Sequence, residues 1–278
     1  MTSTNWVDLS RDPETGIESL RAHFEGHAYD PHWHDTYAIG LTEQGVQRFH
    51  LGRTRHESTP GKVILLEPGD VHDGHGPTPE GFTYRLLYID PQWLHQRLGG
   101  LFEQRPDHYR MAFQDAMSSD VRLARAIGTA FDVMHHGDFR ITRQAALDTL
   151  LERLTCHVQW RRRPQPHPAM PLLAAKTREF LHAHIAEDIG MDDVARALGC
   201  DRFRITRAFK AAFGMSPHAY LVQLRLVEAR RLLARGETPA EVAAATGFAD
   251  QSHLGRWFRR AYAMTPAYYR NRCSKLPD

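Results

Sequence analysis

The stretch Arg207-x-Phe209-Lys210-x-Ala212-Phe213-x-Met215-Ser216-Pro217-x-x-Tyr220 is matched by Arg256-x-Phe258-Arg259-x-Ala261-Tyr262-x-Met264-Thr265-Pro266-x-x-Tyr269 at a constant offset of 49 residues. One supersecondary unit is therefore used twice. Upstream of each copy lies a short apolar-periodic segment closed by glycine, Val194-Ala195-Arg196-Ala197-Leu198-Gly199 and Val242-Ala243-Ala244-Ala245-Thr246-Gly247. A short helix, a glycine turn and a second amphipathic helix are the layout of a helix-turn-helix.

Each second helix divides into a buried and an exposed set. Ile205, Phe209 and Phe213 recur at i, i+4 and i+8, as do Leu254, Phe258 and Tyr262, and both sets should face the core. The residues left outside are Phe203, Thr206, Arg207 and Lys210 on the first helix, and Gln251, Ser252, His253 and Arg256 on the second. Their chemistry suits a DNA major groove, where arginine bonds two acceptors of guanine, glutamine bonds the adenine edge and an apolar group meets the thymine methyl. Lys210, Arg259 and Arg260 suit phosphate, where position matters and sequence does not. A solvated basic helix face is the alternative for any one of them, and a weak one for the doubled pattern.

Start signals frame the helices. Thr238-Pro239-Ala240-Glu241 combines a capping threonine, a proline at the first helical position and a glutamate at the third. Ser216-Pro217 and Thr265-Pro266 repeat the cap and proline. From Tyr220 to Leu233, Leu221, Leu224, Val227 and Leu232 mark a long helix that would hold the two units apart at a fixed separation.

At 278 residues the chain is long enough for two domains. Its net charge of +2 hides an asymmetry. Residues 1–171 hold 18 Lys and Arg against 22 Asp and Glu, whereas residues 172–278 hold 17 against 11, so the half with the repeat is the basic half that phosphate contact requires. No run of about 18 apolar residues occurs and no charged-then-apolar leader opens the chain, so neither a membrane span nor export is indicated. A cytoplasmic protein is expected, nucleoid-associated when on DNA. Cys156, Cys200 and Cys273 lie far apart without paired spacing, which argues against a disulfide framework or a zinc finger.

Arg161-Arg162-Arg163-Pro164-Gln165-Pro166-His167-Pro168-Ala169-Met170-Pro171 reads as a linker, since its prolines exclude regular helix. The expected domains are residues 1–160, a linker at 161–171 and residues 172–278. In the first, short β-prone runs (Tyr37–Thr42, Val63–Leu66, Tyr84–Ile89) alternate with Gly, Pro, Asp and His breaks, which suggests a sandwich or small barrel. Two amphipathic helices then follow, with Val121, Ala124, Ile127, Phe131 and Met134 on one face and Leu147, Leu150, Leu151, Leu154 and Val158 on the other. Their second face is expected to support a homodimer. The fold class is thus α+β with two domains.

The region from Met191 to Arg270, above all Gly247-Phe248-Ala249-Asp250-Gln251-Ser252-His253-Leu254 and Arg256-x-Phe258-Arg259-Arg260, resembles the DNA-binding domain of the AraC/XylS family of transcription regulators. The resemblance implies two helix-turn-helix units joined by a central helix, reading successive major grooves of double-stranded promoter DNA about 34 Å apart. It also implies RNA polymerase as a partner if the protein is an activator. Two departures stand out. Ala263 replaces the family's usual glycine, present as Gly214 in the first repeat, so the second recognition helix is expected to end without a left-handed cap. Met191 replaces the usual capping hydroxyl, leaving Asp192 and Asp193 to supply negative charge at that helix start.

His32-Trp33-His34 and Pro68-Gly69-Asp70-Val71-His72 resemble the two halves of a cupin barrel motif, and family members often carry such a barrel as an effector-binding domain. His32, His34, Tyr37 and His72 are the expected contacts for a small-molecule effector. No cofactor is certain. A divalent transition metal on His32, His34 and His72 is a second reading, since imidazole suits zinc, iron, copper and nickel. The glutamate that metal-binding cupins add is missing, with Glu43 arriving late. Purely structural histidines are the third. The expected function is effector-controlled, sequence-specific DNA binding without catalysis; the alternatives are a metal-dependent cupin enzyme with an appended DNA-binding domain, and DNA binding that needs no effector.

Overall fold

In a computed structural model the described residues are 5–101, 109–162 and 172–274, and they form two compact units that divide between residues 162 and 172. Residues 163–171, most of the expected linker, lie outside the described residues.

The first unit is built from β1 (Trp6–Arg11), β2 (Glu18–Phe24), β3 (His27–His32), β4 (Tyr37–Gly45), β5 (Gln47–Leu51), β6 (Thr54–Ser58), β7 (Val63–Leu66), β8 (His72–His75) and β9 (Phe82–Ile89), then α1 (Pro91–Gly99), β10 (Tyr109–Phe113), β11 (Met117–Ser118), α2 (Val121–His135), α3 (Arg140–Leu154) and β12 (Val158–Arg162). A six-stranded sheet runs in the order β1-β2-β9-β4-β7-β11 and a four-stranded sheet in the order β3-β8-β5-β6, with every pairing antiparallel. Phe24 of β2 lies edge-on to Tyr29 of β3, and Thr42 of β4 bonds Ser58 of β6 at 2.7 Å, so the two sheets face each other across a common interior.

The six-stranded sheet is covered on its outer face as well, which explains why Val63-Ile64-Leu65-Leu66 is apolar throughout instead of alternating. Tyr37, Ile39, Val63, Leu65, Leu87 and Ile89 pack outward against Leu123, Ile127, Phe131, Leu150 and Leu154 of α2 and α3. Each such side chain, fully buried, stabilises by about 1.5–3 kcal/mol. Arg85 of β9 joins sheet to helix, bonding Glu43 of β4 and, at 2.8 Å, Asp132 of α2. Three expectations shift here. Val121 opens α2 at 69% exposure and is not on the buried stripe, and Val158 belongs to β12, not to α3. Arg161 and Arg162 pair with β10, so the strand extends past the expected boundary at 160.

The second unit is helical: α4 (Leu172–Ala183), α5 (Met191–Leu198), α6 (Arg202–Phe213), α7 (Pro217–Ala234), α8 (Pro239–Ala245), α9 (Gln251–Tyr262) and α10 (Pro266–Cys273). α5–α6 and α8–α9 are the two helix-turn-helix units, with α7 between them. Ile205, Phe209, Leu254 and Phe258 have no exposed surface, and Phe209 meets Tyr220 of α7 edge-on as Phe258 meets Tyr269 of α10. Thr238 and Glu241 form the reciprocal cap expected of them. α5 starts differently: its cap is Gly190, whose N–H donates to Asp193 at 2.9 Å, so the missing hydroxyl is replaced by half of a capping box. Among the described residues no helix is long and apolar enough to cross a membrane.

Candidate nucleic-acid interface and effector site

The recognition helices owe their starts to the same residue type. Asp201 accepts from the N–H groups of Phe203 and Arg204, and Asp250 from that of His253, fixing where each first turn points. On α6 the exposed residues include Phe203 (61% exposed), Arg207 and Lys210. Their equivalents 49 residues on, Ser252, Arg256 and Arg259, are exposed on α9 together with Gln251 and Arg260. Spacing of i, i+4 and i+7 places each trio on one helical stripe, opposite the buried Phe209 or Phe258.

Two expected readers are less available. Thr206 is half-buried with its hydroxyl donating to Arg202 O at 2.8 Å, and His253 is half-buried with Nε2 accepting from the Trp257 indole at 2.9 Å. Arg260 stacks its guanidinium over Trp257 at 4.8 Å. Sequence reading missed Arg204, which is exposed one turn before Arg207; the signal was there, a basic residue at i−3 from a named reader.

In the first unit His32 and His72 are register partners on β3 and β8, and His34 follows just beyond β3. All three rings are buried, with centroids 4.6 to 5.2 Å apart. Their ligand nitrogens lie within 4.8 Å of one another. His32 Nδ1–H donates to Asp30 O at 2.8 Å and His72 Nδ1–H to Asp70 O at 2.9 Å, which turns the lone pair of each Nε2 into the cluster. His34 Nε2 is 3.2 Å from His32 Nε2 and takes the donor role between them. Burial pushes the His72 pKa down, against the Asp70 carbonyl and the charge of Asp73, so the ring is held neutral.

Tyr37 does not join these histidines. It leads the outward-facing set of β4, and its hydroxyl lies 2.9 Å from His95 Nε2 of α1 and donates to Met111 O at 3.2 Å. Alternation along a strand sends Ala38 inward and Tyr37 outward, so two residues close in sequence to His34 end on opposite sides of the sheet. The aromatic neighbours are instead Tyr29, 5.0 Å from His32, and Tyr88, 4.8 Å from His34. Tyr88 was legible from the period of two in β9. Tyr29 was not, because an irregularity between Tyr29 and His32 breaks the alternation of β3. Glu43 is also turned away from the cluster, held by Arg21 at 2.7 Å and by Arg85. Outside the sheet, a separate cleft of about 200 Å³ is lined by Asp12, Trp93, Arg97, Arg143 and Leu147 among others.

A barrel with a buried polar cluster, carried on one chain with a doubled helix-turn-helix whose outer stripe is basic, defines a ligand-binding, DNA-binding regulator. Comparison with known proteins agrees on both halves: residues 14–151 match the AraC-like ligand binding domain and residues 194–272 match a helix-turn-helix domain. The HTH-type transcriptional activator RhaS of Escherichia coli O81 is 33% identical over 86% of each chain. YbfI of Bacillus subtilis, an HTH-type transcriptional regulator, is 25% identical over 88% of each. In fold the chain is similar to ToxT of Vibrio cholerae, with a TM-score of 0.58 to an apo form (14% identity, 95% of this chain and 100% of that one) and 0.56 to a form bound to an unsaturated fatty acid (14% identity, 100% and 98%). The chain belongs to the AraC family of transcription regulators. It is a DNA-binding regulator with an N-terminal ligand-binding domain, and the reading as a cupin enzyme with an appended DNA domain falls with that assignment.

Proposed function

We propose that a small effector enters the barrel of the first unit and changes how two protomers present their helix-turn-helix pairs to a promoter. The observation that carries this reading is the buried trio His32, His34 and His72, three imidazoles converging in the interior of the unit that matches a ligand-binding domain. The homodimer uses the outer face of α2 and α3, with Val121 exposed at the start of α2 and Phe139 and Ile141 exposed at the start of α3. On the likeness to RhaS the output is activation, with RNA polymerase as the further partner.

A second reading of the occupant has its own support. The donor set fits a divalent transition ion, since two Nδ1–H groups held by backbone carbonyls orient the rings as outer-shell partners orient metal-bound histidines. Such an ion would be held by His32, His34 and His72 and would supply a fixed positive charge inside the barrel.

Thermal shift of the full chain across a metabolite panel and a series of divalent ions tests both readings, because a ligand at 100 times its Kd stabilises by about 2.7 kcal/mol. Elemental analysis of tag-free protein showing stoichiometric metal, lost in His72→Ala, selects the ion. An organic effector whose shift survives replacement of all three histidines moves the site elsewhere, the cleft at Trp93 and Arg143 being the alternative seat. No shift with any compound and unchanged operator binding would establish DNA binding without an effector.

A further inference from the structure

α7 is 18 residues long, about 27 Å of rigid rod. A rod sets the distance between two helix-turn-helix units, but it leaves their rotation about the rod to be fixed by side contacts. Three such contacts occur. Tyr220 at one end docks on Phe209 of the first helix-turn-helix, with ring centroids 5.2 Å apart. Arg230 toward the other end lies over Tyr262 of the second, at 5.1 Å, and over Tyr269 of α10, at 5.3 Å. Between them is Arg225, which belongs to both halves.

The Arg225 side chain is buried in the middle of α7. Its Nε donates to Ile185 O at 2.8 Å and its Nη2 to Glu187 O at 2.6 Å, two carbonyls in the connection from α4 to α5. Gly247, in the turn between α8 and α9, approaches the same point from the other side. A Cβ on Gly247 would stand 2.9 Å from the backbone of Ala186 and 3.0 Å from Arg225 Nη2. The turn of the second helix-turn-helix thus rests backbone to backbone on the connection leading into the first helix-turn-helix, with the guanidinium bonded into the seam. An apolar side chain could fill this space, but it could not hold two carbonyls in fixed directions.

We propose that Arg225 is a positioning residue that locks the two recognition helices in one relative setting, so that the chain accepts one spacing between its two blocks of base pairs. The proposal rests on both helix-turn-helix units reading the same DNA. One added base pair moves the second block about 3.4 Å along the duplex and turns it by about a tenth of a revolution, so a locked pair of helices cannot follow it.

The test is selection of binding sequences from a random-sequence double-stranded DNA library by the full chain, as wild type and as Arg225→Met, which keeps length and removes the directional bonds. Wild type should enrich two blocks at one spacing. Arg225→Met should enrich the same two blocks over several spacings, and a base pair inserted between the blocks of a wild-type winner should weaken wild type about tenfold but the variant no more than about twofold. A single retained spacing in the variant, or equal loss on both spacings, overturns the proposal. Wild type that enriches one block only overturns the double reading beneath it. If circular dichroism shows Arg225→Met unfolded, Arg225→Lys, which reaches one carbonyl, takes its place with the same outcomes.

Discussion

Ala263 ends the second recognition helix in the same left-handed turn that Gly214 makes at the end of the first. Ala263 has φ 55° and ψ 15°, with its N–H donating to Arg259 O at 2.8 Å; Gly214 has φ 76° and ψ −11°, with its N–H donating to Lys210 O at 2.9 Å. Ala263 is the one non-glycine with positive φ among the described residues. The expectation that the second recognition helix would end without this cap is therefore wrong. Repetition of the flanking contacts imposes the turn: Met264 and Met215 are both 8% exposed, and Thr265 and Ser216 both cap the next helix.

A left-handed alanine is strained by about 1–2 kcal/mol, and glycine gives back part of that through its freer unfolded chain. Ala263→Gly should stabilise the protein by about 0.5–1 kcal/mol, and Gly214→Ala should destabilise it by a similar amount. Denaturant unfolding checks both, as a shift of midpoint at constant slope. A lower midpoint for Ala263→Gly would show that the alanine is not strained.

Base readers and phosphate contacts should separate under substitution. Arg256→Ala and Gln251→Ala are expected to relax preference at one or two base pairs and to weaken the specific site by about 1–3 kcal/mol, whereas Lys210→Ala weakens all DNA alike. Competition between specific and random duplexes measures the difference. Equal loss on both for Arg256→Ala removes it from the readers.

Residues 172–278 carry 17 of the 35 Lys and Arg against 11 of the 33 Asp and Glu, and they contain all seven helices of the second unit. As an isolated fragment they should bind promoter DNA, with log affinity falling linearly against log salt by about 0.9 per phosphate contacted. Lys210→Ala should reduce that slope by about 1. Flat salt dependence would contradict the assigned interface.

Glu43 gives the first unit an acid limb. Burial raises its pKa, but the bonds and charges of Arg21 and Arg85 outweigh burial and hold it below the usual carboxylate range. As pH falls, the unfolded chain takes up the proton first, so stability present above the ordinary glutamate pKa drains away as pH drops to the lowered folded value. Glu43→Gln should lower stability at pH 7 by about 1–3 kcal/mol and flatten the loss between pH 5 and pH 3. A mutant whose pH profile parallels wild type would mean the pair contributes nothing.

The repeat at an offset of 49 residues, the cap motifs and the helical apolar spacing were enough to place both helix-turn-helix units and most of their outer residues. These are local signals, each set within one or two turns of chain, and a helix presents its faces by spacing alone. The barrel was legible only as short strands and a pair of histidine motifs, because pairing order is a long-range property that no window of sequence contains. Tertiary structure decided the rest. Strand alternation put Tyr37 outside and the register of β3 on β8 brought His32 and His72 together. Packing forced Ala263 into a backbone state its residue type disfavours. Arg225 shows the same division: a helical arginine by sequence, and a tie between α7 and the connection from α4 to α5 only once the carbonyls of Ile185 and Glu187 arrive from 40 and 38 residues away. Periodicity reports which way a side chain leaves its own element, whereas its partner is set by which other element the chain folds against it.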